Sequence, residues 1–278
     1  MARINSTEYE DFRRFLEETS GILLGDNKHY LVQSRLGRLM KESGLGSLAE
    51  LLSRLYRERQ GSGLREQVIE AMTTNETFWF RDDHPFRILA RQVLPEFAEQ
   101  RRPLRIWSAA CSTGQEPYSI SITVEEYQAA NGGRPVDAQI VATDISPAVL
   151  EDAREGCYDA MALARGLPRD IRQRYFEKDS RHWEDRWRVR TEVRQRVRFS
   201  RLNLLSSYSA LGRFDVIFCR NVLIYFSAAS KRDILGRMAQ TLNPGGYLFL
   251  GASEAISQYS DAFEMVRCNP GVVYRRKD

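Results

Sequence analysis

From Leu104 onward the apolar residues change their spacing, and that change constrains the fold more than any other feature of the chain. Leu104-Arg105-Ile106-Trp107 reads as a short strand, Gln115 to Gln128 as a helix, and Gln139-Ile140-Val141-Ala142 as a second strand ending at Thr143-Asp144. Ser146 caps a further helix that Pro147 opens. Alternation of this kind builds a parallel sheet, because parallel strands need crossover connections and those are right-handed. From about 157 to 198 the alternation lapses into a stretch rich in Arg, Asp and Trp, where Trp187-Arg188-Val189-Arg190 and Val193 to Phe199 read as a short antiparallel pair. It then resumes with Phe214-Asp215-Val216-Ile217-Phe218, a helix from Ala228 to Leu242, the turn Asn243-Pro244-Gly245-Gly246 and the strand Tyr247-Leu248-Phe249-Leu250; Val272-Val273-Tyr274 supplies a last strand. Val216-Ile217-Phe218 is an unbroken apolar run, as expected of a strand buried on both faces.

The chain before this sheet reads as all helix. Thr7-x-x-Glu10 is a capping box ahead of Phe12, Phe15, Leu16 and Leu23. A second helix runs from about Asn27 to Ser43 and stops at Gly44, a candidate C-cap. Ser47-x-x-Glu50 is another capping box, followed by the stripe Leu48, Leu51, Leu52 and Leu55; Leu64, Val68, Ile69 and Met72 mark a fourth helix. A fifth starts near Asp82-Asp83 with Pro85 in its first turn, and Pro95 bends or interrupts it. The expected division is a helical N-terminal domain over 1–82 and an α/β domain over 83–278, with the insertion at about 157–198.

With 41 basic and 37 acidic residues the net charge is only +4, so a basic footprint spread over the whole surface, as nucleic-acid binding would need, is not expected. The first residues lack the apolar core of a signal peptide, and no run of about 18 apolar residues predicts a membrane span. Cys111, Cys157, Cys219 and Cys268 are scattered, without metal-ligand spacing or the density of a disulfide scaffold, which points to a reducing cytoplasm. His29, His84 and His182 are equally dispersed, so neither a metal site nor a histidine-based triad is expected.

In doubly wound α/β folds the ligand crevice lies at the carboxyl ends of the strands. Three segments meet that condition. Ser108-Ala109-Ala110-Cys111-Ser112-Thr113-Gly114-Gln115-Glu116 follows the first strand, and its small residues let a backbone approach a ligand closely. It holds a single glycine, which argues against a dinucleotide whose pyrophosphate rests on bare backbone. Asp144 ends the second strand; an acid there either accepts both hydroxyls of a ribose or serves as a turn former. Cys219-Arg220-Asn221-Val222-Leu223-Ile224-Tyr225-Phe226 follows the buried run, and so puts Arg220, Asn221 and Tyr225 where a ligand belongs.

Thr74-Asn75-Glu76-Thr77-Phe78-Trp79-Phe80-Arg81, Ala110-Cys111-Ser112-Thr113-Gly114-Gln115-Glu116-Pro117-Tyr118-Ser119, Ala142-Thr143-Asp144, Leu202-Asn203-Leu204 and Phe218 to Phe226 together resemble, in this order, the motifs of the chemotaxis receptor methyltransferases, the CheR family. The resemblance covers nearly the whole chain. It implies a helical N-terminal domain, a doubly wound class I methyltransferase sheet and a small antiparallel β-subdomain inserted in it. It implies transfer of a methyl group from S-adenosylmethionine to glutamate side chains on the cytoplasmic helices of membrane chemoreceptors, giving glutamyl methyl esters and S-adenosylhomocysteine. By similarity Asn75, Thr77, Arg81, Glu116, Asp144, Asn203, Leu204, Arg220 and Asn221 line the cofactor. Asp144 holds the ribose, Arg81 holds either the cofactor's carboxylate or the incoming one, and Tyr225 lies near the transferring methyl.

Helix two offers a partner surface. Lys28, Arg35, Arg38 and Lys41 fall opposite Val32, Leu36, Leu39 and Met40, with no acid between Lys28 and Lys41. Such a stripe is either a solvated face or a surface that steers an acidic receptor helix, and the resemblance implies the second. In some members of the family the β-subdomain docks a peptide from the receptor's C-terminus by strand addition; here Trp183 and Trp187 either serve that or pack the small sheet. A monomer is expected. Three rivals remain open: a nucleic-acid methyltransferase, a non-catalytic S-adenosylmethionine sensor, and a nicotinamide-dependent dehydrogenase, the last disfavoured by the single-glycine loop.

Overall fold

The computed structural model describes residues 4–57, 63–100, 102–133, 135–180 and 185–278. His182 and Trp183 lie outside the described residues.

Four helices open the chain: α1 (Ser6–Ser20), α2 (His29–Glu42), α3 (Leu48–Arg57) and α4 (Gly63–Met72). Their inward stripes, among them Phe12, Leu16, Val32, Leu36, Leu51, Leu55 and Val68, bury one another in a core of their own. The cap of α1 sits two residues earlier than expected. Asn5 accepts from the Glu8 N–H while Glu8 accepts from the Asn5 N–H, and this start puts Tyr9 on the buried face with Phe12 and Leu16. Glu50 donates its N–H to Ser47 as a capping residue should, but its carboxylate reaches back to the Gly46 N–H instead.

After an irregular segment that turns at 79–82, with Phe80, Asp82 and Asp83 at positive φ, come α5 (His84–Ile88), a π turn (Leu89–Val93) and α6 (Leu94–Ala98). The wide turn lies just ahead of Pro95, which has no N–H to return to the preceding turn. Then follow β1 (Leu104–Ala109), α7 (Gln115–Ala130), β2 (Ala138–Asp144), α8 (Pro147–Glu155), β3 (Cys157–Asp159), α9 (Ala160–Ala164), α10 (Arg169–Tyr175), β4 (Phe176–Lys178), β5 (Arg186–Val189), α11 (Thr191–Arg194), β6 (Val197–Arg201), β7 (Phe214–Cys219), α12 (Ala228–Thr241), β8 (Leu242–Leu250), β9 (Phe263–Cys268) and β10 (Gly271–Arg276).

Among the described residues seven strands form one sheet in the order β6-β2-β1-β7-β8-β10-β9. β6, β2, β1, β7 and β8 run parallel, and the β9–β10 hairpin joins β8 antiparallel. Two apolar layers cover it: Ile106, Ile140, Val216, Phe218 and Phe249 face one, Trp107, Ile217, Cys219 and Leu248 the other. β7 is buried at every position, which explains its continuous apolar run. The expected antiparallel pair is corrected in part. β5 does pair antiparallel, but with β3 and β4; Thr191–Arg194 is helical, and Val197–Arg201 runs parallel to β2 as the edge of the main sheet. The main sheet therefore resumes at Val197, inside the span expected to be inserted. Asn243–Gly246 lies within β8 as an irregularity that shifts its register against β7. Among the described residues no helix is long and apolar enough to cross a membrane.

Candidate active site

A cleft of about 1000 Å³, counting its open mouth, lies at the carboxyl ends of β1, β2 and β7. Its lining includes Asn75, Thr77, Arg81, Glu116, Asp144, Asn203, Leu204, Arg220, Asn221 and Tyr225, so the structure brings together every residue expected at the cofactor and at the reacting methyl.

The loop after β1 turns without relying on glycine alone. Ala110 and Ser112 adopt left-handed backbone conformations, with φ of 60° and 51°, before Gly114 opens α7. Each costs roughly 1 kcal/mol or more for a residue with a Cβ. The reward is a backbone N–H, that of Ser112, aimed at Asp144 Oδ2 at 2.8 Å. Ser146 donates its N–H to the other carboxylate oxygen at 3.0 Å. Asp144 is only 6% exposed; burial raises its pKa, and the N–H groups of Ser146, Ser112 and Ile145 partly offset that.

Arg220 is a buried hub, its side chain 1% exposed. One guanidinium nitrogen donates to Glu116 Oε2 at 2.9 Å; the other donates to the Arg81 carbonyl at 2.6 Å and to Asp82 Oδ2 at 2.7 Å. Glu116 also accepts from the Ser108 hydroxyl at 2.8 Å. Burial raises the Glu116 pKa against the pull of Arg220 and Ser108. Arg220 thus ties the segment before α5 to the end of β7, and its role is to shape the cleft wall.

Asn221 has a φ of 57°. Glu254, which pattern alone does not single out, holds it there: one carboxylate oxygen accepts the N–H of Asn221 at 2.7 Å and that of Gly251 at 2.8 Å. The side-chain amide oxygen Oδ1 of Asn221, a residue of the cleft lining, is buried without a protein partner, as is the second oxygen of Glu254 behind it. In the cleft, an unpaired acceptor on Asn221 and the buried carboxylates of Glu116 and Asp144 suit a ligand that brings donors and positive charge.

The N-terminal helices complete the cleft. Ser20, Ile22, Met72, Thr73 and Thr74 line it. The Leu23 N–H donates to the Tyr225 carbonyl at 2.8 Å, and Asn203 Nδ2 donates to the Thr19 carbonyl at 2.7 Å. Asn203 Oδ1 accepts from the Leu205 N–H, so its amide is largely committed to the wall. Gly21 has a φ of 79°, and a Cβ there would lie 2.2 Å from the Phe226 ring. Arg81 donates to the Glu76 carbonyl and sits over the Phe78 ring, with Arg165 over the same ring and ion-paired to Glu76.

The four basic residues of the second helix separate. Lys28 and Lys41 are exposed, and Arg38 pairs with Glu42 of its own helix at 2.7 Å. Arg35 turns inward and donates to the Met72 and Thr73 carbonyls and to the Thr74 hydroxyl.

Comparison with known proteins agrees with this geometry. The family model of the CheR methyltransferase SAM binding domain matches residues 75–272, and that of the CheR methyltransferase all-alpha domain matches residues 7–73. The chain is 54% identical over 273 residues to chemotaxis protein methyltransferase Cher2 of Pseudomonas putida, covering 97% of this chain and 98% of that protein. It is 54% identical to chemotaxis protein methyltransferase 1 of Pseudomonas aeruginosa, covering 98% of each, and 41% identical to the chemotaxis protein methyltransferase of Salmonella typhimurium, covering 91% of this chain and 86% of that one. An all-helical domain, a class I sheet, a cleft that fits a cationic ligand and a match along both parts lead to one assignment: the chain belongs to the CheR methyltransferase family and is an S-adenosylmethionine-dependent chemotaxis methyltransferase.

Proposed function

We propose that the enzyme methylates glutamate side chains on the cytoplasmic helices of chemoreceptors, acting in the cytoplasm. The observation that carries this reading is the lining of the cleft, which pairs Arg81 and Tyr225 with two buried acids and includes neither His29 nor His84. A glutamate is already ionised at neutral pH and needs no general base. Bound S-adenosylmethionine supplies a methyl on a cationic sulfonium, and its transfer to the carboxylate leaves S-adenosylhomocysteine and a methyl ester.

The chain's own residues supply placement and charge. Asp144 accepts from the ribose hydroxyls, and its burial raises the strength of those bonds. Glu116, Arg220 and Asn221 shape the wall, while Asn75, Thr77, Asn203 and Leu204 enclose the ligand. Arg81 and the Tyr225 hydroxyl orient the incoming carboxylate without neutralising it, and in-line positioning lowers the barrier by several kcal/mol. Residues 1–82 form the receptor-facing unit, with Lys28, Arg38 and Lys41 as its exposed charge, and residues 83–278 the catalytic unit. The free edges of the β3-β5-β4 sheet offer strand addition to a receptor tail. The enzyme works as a monomer.

The test is incubation with cytoplasmic chemoreceptor fragments and methyl-labelled S-adenosylmethionine, followed by alkali. Release of the label as volatile methanol is expected, because methyl esters hydrolyse. Alkali-stable label would sink the reading and indicate N- or C-methylation. Charge reversal at Arg38 and Lys41 should raise KM for the fragment and leave S-adenosylhomocysteine affinity unchanged.

A further inference from the structure

Arg35 stands on the second helix with the exposed basic residues, yet its guanidinium is spent on acceptors of the chain itself. One terminal nitrogen donates to the Met72 carbonyl at 2.8 Å and the Thr73 carbonyl at 2.9 Å; the other donates to Thr74 Oγ1 at 3.0 Å. The two carbonyls belong to the end of α4, where backbone acceptors lack helical partners and the helix dipole favours a cation. Three donors fixed in one planar fork match three acceptors in consecutive residues, a fit that a lysine cannot reproduce.

The held segment leads to the cleft. Met72, Thr73, Thr74 and Asn75 all line it. The Asn75 carbonyl accepts from Ser112 Oγ at 2.9 Å, and the Ser112 N–H donates to Asp144 Oδ2 at 2.8 Å. A continuous set of hydrogen bonds and one short stretch of chain therefore joins the middle of α2 to the acid at the end of β2. None of the other three basic residues takes part: Arg38 is paired within α2, and Lys28 and Lys41 face solvent.

We propose that Arg35 is a positioning residue for the cofactor cleft and no part of the receptor-contacting charge: it pins Met72–Thr74 so that Asn75 meets Ser112 and Ser112 meets Asp144. The proposal rests on the reading of Asp144 and its neighbours as the cofactor site. Calorimetric titration of the full chain with S-adenosylhomocysteine tests it. Arg35→Ala should weaken binding about tenfold, the scale of one or two lost charge-assisted bonds, with KM for a receptor fragment unchanged at saturating cofactor. Arg35→Lys should restore only part of the loss. Thr74→Val removes one acceptor at nearly constant volume and should weaken binding less but in the same direction, which reads the tie even if Arg35→Ala does not fold. Ser112→Ala should weaken binding too, and the double variant Arg35→Ala/Ser112→Ala should lose less than the two single losses combined, because one set of contacts is broken twice. Unchanged affinity in Arg35→Ala and Thr74→Val with a raised receptor KM would overturn the proposal and return Arg35 to the receptor face. Unchanged affinity in Asp144→Asn would remove the cofactor reading, and the proposal with it.

Discussion

The surroundings of Asp144 work against its charged form. Burial lifts its folded pKa above the ordinary carboxylate value, so the folded state takes up its proton at a higher pH than the unfolded chain does. Its charged form therefore costs stability as pH rises through that window, and the bonds it offers a ligand offset the cost. The affinity for S-adenosylhomocysteine should fall with decreasing pH well before the ordinary Asp value of about 3.9 is reached. Asp144→Asn should bind about tenfold or more weakly at neutral pH and show a flatter profile, Glu116 supplying the remaining slope. Identical profiles for the two proteins in a calorimetric pH series would clear Asp144 of the role. The sequence places Asp144, Arg220 and Asn221 at the cleft because they stand at, or within two residues of, the end of an apolar strand. Glu254 is not so placed. It lies in Gly251-Ala252-Ser253-Glu254, and only the parallel pairing of β7 with β8, a contact between distant segments, carries it to Asn221. The loop after β1 turns tightly with a single glycine because Ala110 and Ser112 are left-handed as well, a conformation that small residue types permit but do not announce.

At the level of elements, the segment between α4 and α5 depends on a neighbour far along the chain. The Trp79 N–H donates to the Arg165 carbonyl at 3.1 Å. Gly166, with a φ of 83°, passes so close that a Cβ would lie 2.1 Å from the Trp79 carbonyl oxygen. Gly166→Ala should destabilise the protein by about 2 kcal/mol or more, from backbone strain and displacement together, and should raise KM for S-adenosylmethionine because the displaced segment lines the cleft. Denaturant unfolding and steady-state kinetics measure the two effects; an unchanged midpoint would mean that the segment adjusts freely. Elements with a strong period, such as α7 and β7, were readable from the residues. β6 was assigned to the wrong partner, since an edge strand with half-exposed positions has the same local pattern whether it pairs parallel or antiparallel. β9 was missed because Phe263-Glu264-Met265-Val266-Arg267-Cys268 is polar at alternate ends and buries little.

For the whole molecule, the cleft exists only where two separately packed cores meet. Gly21 against Phe226, the Leu23 N–H on the Tyr225 carbonyl, Asn203 on the Thr19 carbonyl and the ion pair of Glu66 with Arg201 hold the seam. Gly21→Val combines a left-handed backbone with a side chain directed into Phe226, and should part the units locally. The expected outcome is a large loss of S-adenosylhomocysteine affinity with most helical content retained, read by calorimetry and circular dichroism together. Full affinity would show that the catalytic unit binds unaided. The seam has a further consequence. On the N-terminal side two of these ties are main-chain atoms, the Leu23 N–H and the Thr19 carbonyl, which any residue but proline supplies, and only Gly21 and Glu66 are fixed by their identity. Lineages can therefore exchange the outward residues of these helices, and so change what the enzyme recognises, while inheriting the same docking geometry. The natural unit for building chimeras is residues 4–72 as a block, joined where the chain already changes partners.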